Sequence, residues 1–101
     1  MIFLSEIRND KNCFDAKTKR DLQAILSMME EECISLVNWQ LVEIPTESTY
    51  CFYNKNSDQA FDVELDDFGI LKPHYYEEKE NSTITKFPAD SIKEAVRRFS
   101  L

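Results

Sequence analysis

Between Phe61 and Asp67 apolar and acidic residues alternate with a period of two, Phe61, Val63 and Leu65 against Asp62, Glu64 and Asp66. Such alternation predicts a strand with two unlike faces, the apolar trio in a core and the acidic trio opposite, spaced by about 7 Å at ~3.3 Å rise per residue. β-Branched and aromatic enrichment predicts strands at Val37 to Ile44, Ser48 to Tyr53, Ala60 to Asp66 and Ile70 to Tyr76. The segments between them, Pro45 to Glu47, Asn54 to Gln59 and Asp66 to Gly69, are short and turn-like. Connections of that length favour hairpins, hence an antiparallel meander. Gly69, the only glycine, is predicted to supply a positive φ in the third turn.

Two segments carry helical spacing instead. Leu22, Ile25, Leu26, Met29 and Cys33 mark one apolar face of a helix from about Asp15 to Ser35, started at Asp15 or, one turn later, at the Thr18/Asp21 pair. Its charges oppose the helix dipole, with Lys17, Lys19 and Arg20 at the N-terminal end and Glu30, Glu31 and Glu32 at the C-terminal end. Stability alone would not select that order, so the trio is either a second acidic spot for a partner or is neutralised by tertiary neighbours such as the arginines of the last helix. After a polar loop at Glu77 to Ser82, with a short extended piece at Thr83 to Lys86, a second helix runs from Pro88 to about Ser100. Ile92, Ala95, Val96 and Phe99 form its apolar stripe, Lys93, Arg97 and Arg98 suit its C-terminal end, and Glu94 can meet Arg98. The predicted architecture is a single α+β domain over residues 1–101, an antiparallel meander of about four strands with an N-terminal and a C-terminal helix packed on it.

Composition narrows the function classes. With 43% hydrophobic residues, seven Phe, four Tyr and one Trp in 101 residues, the chain has the material for a core. Nineteen acidic against twelve basic side chains give a net charge of −7, which disfavours nucleic acid and anionic membrane and favours a cationic partner. Cys13, Cys33 and Cys51 are odd in number and lack CxxC spacing, so neither a disulfide framework nor a zinc site is expected. Met1 to Leu4 is too short an apolar run for a signal peptide or membrane span. A reduced, cytoplasmic protein is the expectation.

Candidate chemistry is sparse. Asp62, Glu64 and Asp66 open like a D-x-D-x-D calcium loop, but Asp67 stands where that loop needs glycine and Pro73 where it needs the bidentate glutamate. His74 is the only histidine and nothing is spaced to complete a metal site around it. A Cys51–His74 pair on nearby strands is conceivable, without a visible oxyanion hole. No metal, cofactor or catalytic residue is therefore expected, whereas a third class, a small enzyme or ligand-binding domain, would require His74 or a cysteine to converge with other groups. A row of like charges does not stabilise folding, so the candidate partner surface is Asp62, Glu64, Asp66 and Asp67 with Glu30, Glu31 and Glu32, and with Tyr53, Tyr75 and Tyr76 where the aromatics are not core.

In size, acidity and helix–meander–helix organisation the whole chain resembles the small immunity proteins that bacteria make against their own secreted or contact-delivered toxins. The resemblance implies a cytoplasmic protein, monomeric before complex formation, that binds a basic cognate toxin such as a nuclease and blocks it without doing chemistry. An acidic secretion chaperone or adaptor, homodimeric and holding an effector segment, is the alternative.

Overall fold

The computed structural model describes residues 2–8, 14–46, 48–78 and 84–98. They form an α+β fold with one antiparallel sheet of six strands in sequence order: β1 (Ile2–Phe3), β2 (Trp39–Thr46), β3 (Thr49–Asn54), β4 (Gln59–Leu65), β5 (Leu71–Glu78) and β6 (Ile84–Pro88). Three helices accompany it, α1 (Leu4–Arg8), α2 (Ala16–Glu31) and α3 (Ile92–Arg98). The predicted meander is thus the centre of a wider sheet. The N-terminal β1 and α1 were not expected, because a two-residue strand and a five-residue helix are too short to show a period.

The core lies between the sheet and the helices. Phe61, Val63 and Leu65 of β4 are buried with Tyr50 and Phe52 of β3, Trp39 and Leu41 of β2, Leu4 and Ile7 of α1, Leu22, Ile25, Leu26 and Met29 of α2, and Ile92 and Ala95 of α3. The aromatics interlock, Trp39 edge-on to Phe61 with centroids 5.1 Å apart and Phe52 stacked on Phe61 at 5.0 Å. Among the described residues no helix covers the opposite face of the sheet, which carries Cys51, Tyr53, Asp62, Glu64, Lys72, His74, Tyr76 and Lys86 by strand alternation and register. No helix among them is long and apolar enough to cross a membrane.

The helix limits correct two expectations. Asp15 is the N-cap of α2, its carboxylate accepting the Thr18 amide at 2.7 Å. The helix ends at Glu31, and Cys33, expected on the apolar stripe, lies beyond it, exposed, with φ of 61°. Pro88 is the last residue of β6 rather than the first of α3. The last helix starts instead at a variant of the capping box: Ser91 Oγ accepts the Glu94 amide at 3.0 Å, and the Glu94 carboxylate reaches one residue past the cap to accept the Asp90 amide at 3.0 Å. Cys13, Phe99, Ser100, the loop residues 79–83, Glu47 and the side chain of Arg98 lie outside the described residues.

Candidate functional site: the open sheet face and the β4–β5 turn

The acidic row is not a row. Pairing of Cys51 with Asp62 and of Asp62 with His74 sets these three side by side on β3, β4 and β5. Asp62 is only 2% exposed on a face no described helix covers, because its neighbours close over it. The Tyr76 hydroxyl donates to Asp62 Oδ2 at 2.9 Å and Lys86 Nζ reaches the same oxygen at 3.4 Å from β6. Asp62 Oδ1 and His74 Nδ1 are both buried and lie 3.3 Å apart, without the alignment of a hydrogen bond. The cluster continues to Cys51, whose sulfur is 3.7 Å from the Tyr76 oxygen. Burial, then the Cys51 contact and the Asp62 carboxylate, hold the Tyr76 phenol far above its ordinary range.

Asp66 has a third role. Its carboxylate accepts the amides of Phe68 and Ile70, each at 2.9 Å, and its carbonyl accepts the Gly69 amide at 3.0 Å. The amide of Ile70 lowers the Asp66 pKa most, with that of Phe68 and the charge of Lys72, 3.9 Å away, assisting. Gly69 takes φ of +77° as expected, with open space where a Cβ would stand. This network fixes the β4–β5 turn and leaves Phe68 89% exposed beside exposed Asp67, with Ile70 58% exposed on the far side. Of the predicted row, Glu64 alone is exposed on the sheet.

The other candidates divide in the same way. Tyr53 and Tyr76 are on the open face, but Tyr75 is on the helix-covered side, stacked on Phe87 at 5.5 Å. The Tyr53 hydroxyl donates to Asp58 at 2.6 Å, a bond that raises its pKa. Glu30 and Glu31 are exposed, whereas Glu32 accepts the backbone amides of Ile92 and Lys93 at 3.3 and 2.9 Å. A carboxylate at the C-terminal end of α2 therefore caps the positive N-terminal end of α3. Tertiary neighbours do neutralise part of the trio: for Glu32 they are backbone amides of the last helix. Asp21 is buried, accepting the Tyr50 hydroxyl at 2.7 Å and Lys17 Nζ at 2.9 Å. Burial and this bond push the Tyr50 phenol well above its ordinary range.

Phe68 is a functional candidate that the alternation along the chain does not single out, since it falls in the Asp66 to Gly69 turn. The signal was there: a large apolar side chain between carboxylates and a glycine, in a connection too short to fold back, has nowhere to bury itself. Beside it a cleft of about 440 Å³ opens between this turn and the N-terminal end of α2. No group of three or more His, Cys, Asp or Glu side chains among the described residues converges to hold a metal ion. Comparison with family models, with curated proteins and with solved structures returns no match.

Proposed function

We propose that the chain is a non-catalytic inhibitor of the immunity type, which captures a basic cognate toxin on its β4–β5 turn and the acidic residues around it. The observation that carries this reading is Phe68, nearly fully exposed on a turn pinned by three hydrogen bonds to Asp66. Because the backbone of the turn is already ordered, binding there spares the cost of fixing the loop, and burying the ring brings roughly 1.5–3 kcal/mol with it. Glu64, Asp67 and the net charge of −7 supply attraction for a cationic surface. Compared with the acidic row first expected, the surface shifts toward the turn and loses Asp62, Glu32 and Tyr75.

The convergence of Cys51, Asp62, His74 and Tyr76 favours a second reading, a small enzyme or ligand-binding domain. The bonding within the cluster weighs against a nucleophilic cysteine. The Tyr76 proton goes to Asp62, which leaves the Cys51 thiol as donor to the Tyr76 oxygen. A protonated thiol makes that bond and a thiolate, having no proton to donate, cannot. Asp62 also stands on the strand between Cys51 and His74.

The test is co-expression with the protein encoded immediately upstream, followed by affinity measurement. Phe68→Ala should weaken the complex by at least about 2 kcal/mol, roughly thirtyfold, with the fold unaffected. Asp67→Lys should slow association and flatten its salt dependence. If both variants bind as tightly as the parent, the turn is not the binding surface.

A further inference from the structure

We propose that the cleft between the β4–β5 turn and the N-terminal end of α2 receives one basic and one acidic side chain from a single partner segment, an inference that rests on the turn being the partner-binding surface. The cleft holds about 440 Å³, within the usual range for sites that enclose a ligand group. Most of its charges are already engaged. Lys17 is bonded to Asp21, Asp21 also to Tyr50, and Asp66 to the amides of its own turn and to Lys72. That leaves two. Arg20 on the helix wall and Asp67 on the turn wall both line the cleft and are exposed, and neither has an ion-pair partner among the described residues.

Opposite free charges on facing walls select against a ligand of one sign. A purely basic segment gains Asp67 but meets Arg20, and a purely acidic one gains Arg20 but meets Asp67. A segment with both signs satisfies both walls. The guanidinium of Arg20 offers a fork that matches a carboxylate bidentately. Asp67 and the exposed face of Phe68 suit an arginine, which pairs with the first and stacks on the second. Leu65 contributes apolar lining for the stem of the long side chain. The toxin-facing surface would then read charge order along the partner, a source of specificity that net charge alone does not provide.

Synthetic peptides test this without the toxin. Acetylated, amidated peptides with Arg and Glu separated by zero to three glycines are titrated into the ¹⁵N-labelled chain, next to the same peptides with Glu→Gln or Arg→Gln. The amides of Arg20, Asp67 and Gly69 should shift, and the best doubly charged peptide should bind at least about threefold tighter than either singly charged one. Arg20→Glu gives opposite signs for the two ideas. It should weaken the doubly charged peptide, whereas for a site that wants only a cation it strengthens every Arg-containing peptide. If the Arg-only peptide binds as tightly as the doubly charged one and gains from Arg20→Glu, the paired site is overturned while the turn remains a cation-binding surface. If no peptide moves the resonances of the turn, the paired site is overturned and the reading of the turn loses support with it.

Discussion

Asp62 and Glu64 share a strand and a face, but one is enclosed by a tyrosine, a lysine and a histidine and the other stands in water. Their truncation should separate accordingly. Asp62→Ala leaves the Tyr76 hydroxyl without its acceptor in a half-buried site, for a loss of about 1–3 kcal/mol, while Lys86, 40% exposed, can turn its charge to solvent. Glu64→Ala should stay within about 0.5 kcal/mol of the parent. Urea midpoints of the two variants measure the difference, and equal midpoints would mean that the buried cluster contributes nothing. Reversal of Asp62 to Lys removes the same acceptor and adds a cation beside Lys86, so it should cost more than Asp62→Ala, and the acidic residues of this strand are not interchangeable. Period-two alternation made the faces legible. It could not show that Tyr76, His74 and Lys86 come from two later strands to close over one carboxylate, because that depends on register. The thiols follow the same rule: Cys33, exposed beyond α2, should react with a thiol reagent well before Cys51, which is half-buried against Tyr76.

The helices are held at their ends by side chains from near and far. Glu32 caps α3 from sixty residues away, so Glu32→Ala should cost about 0.5–2 kcal/mol and speed hydrogen exchange in α3 more than elsewhere. Glu32→Gln, which keeps an acceptor, should recover part of the loss. Asp15 caps α2 locally, and its bond to Thr18 lowers its pKa. The depressed value means that the folded chain favours the ionised form. This contribution is complete above the unfolded value, near pH 3.9, and is lost as pH falls through the lower folded value. The amides held by Asp66 act in the same direction. Acid unfolding of Asp15→Asn should therefore be less steep below about pH 4, where the parent loses its charged cap. Caps written into neighbouring residues, Asp15 before Thr18 and Ser91 before Glu94, were legible, the second only to a reader who did not stop at Pro88. The Glu32 cap was not. The misplaced charges of α2 signalled that something outside the helix used them, without naming it.

Across the described residues the helices cover one side of the sheet and leave its edges and its other face to be managed by chemistry. At one edge β1 is two residues long. At the other, the amide of Ala89 donates to Pro73 at 2.9 Å, which fixes the phase of the β5–β6 ladder. Residues 85 and 87 then point their backbone groups at β5, and 84, 86 and 88 point theirs outward. Pro88 has no N–H to offer, so among the described residues of β6 a second strand would find only the amides of Ile84 and Lys86 as donors. The open face is studded with Glu64, Lys72 and Lys86, all exposed, and every copy carries the same net charge of −7. Pairing along β6 is short of donors, face pairing would bury charges, and long-range repulsion opposes both. The chain should therefore run as a monomer of 11.9 kDa by light scattering at micromolar concentration. It should remain so at high salt, because screening removes the repulsion but restores neither the missing donors nor an apolar face. A stable species of twice that mass would favour the dimeric chaperone reading, and would place the second copy on the sheet rather than on the β4–β5 turn if Phe68→Ala left the dimer intact.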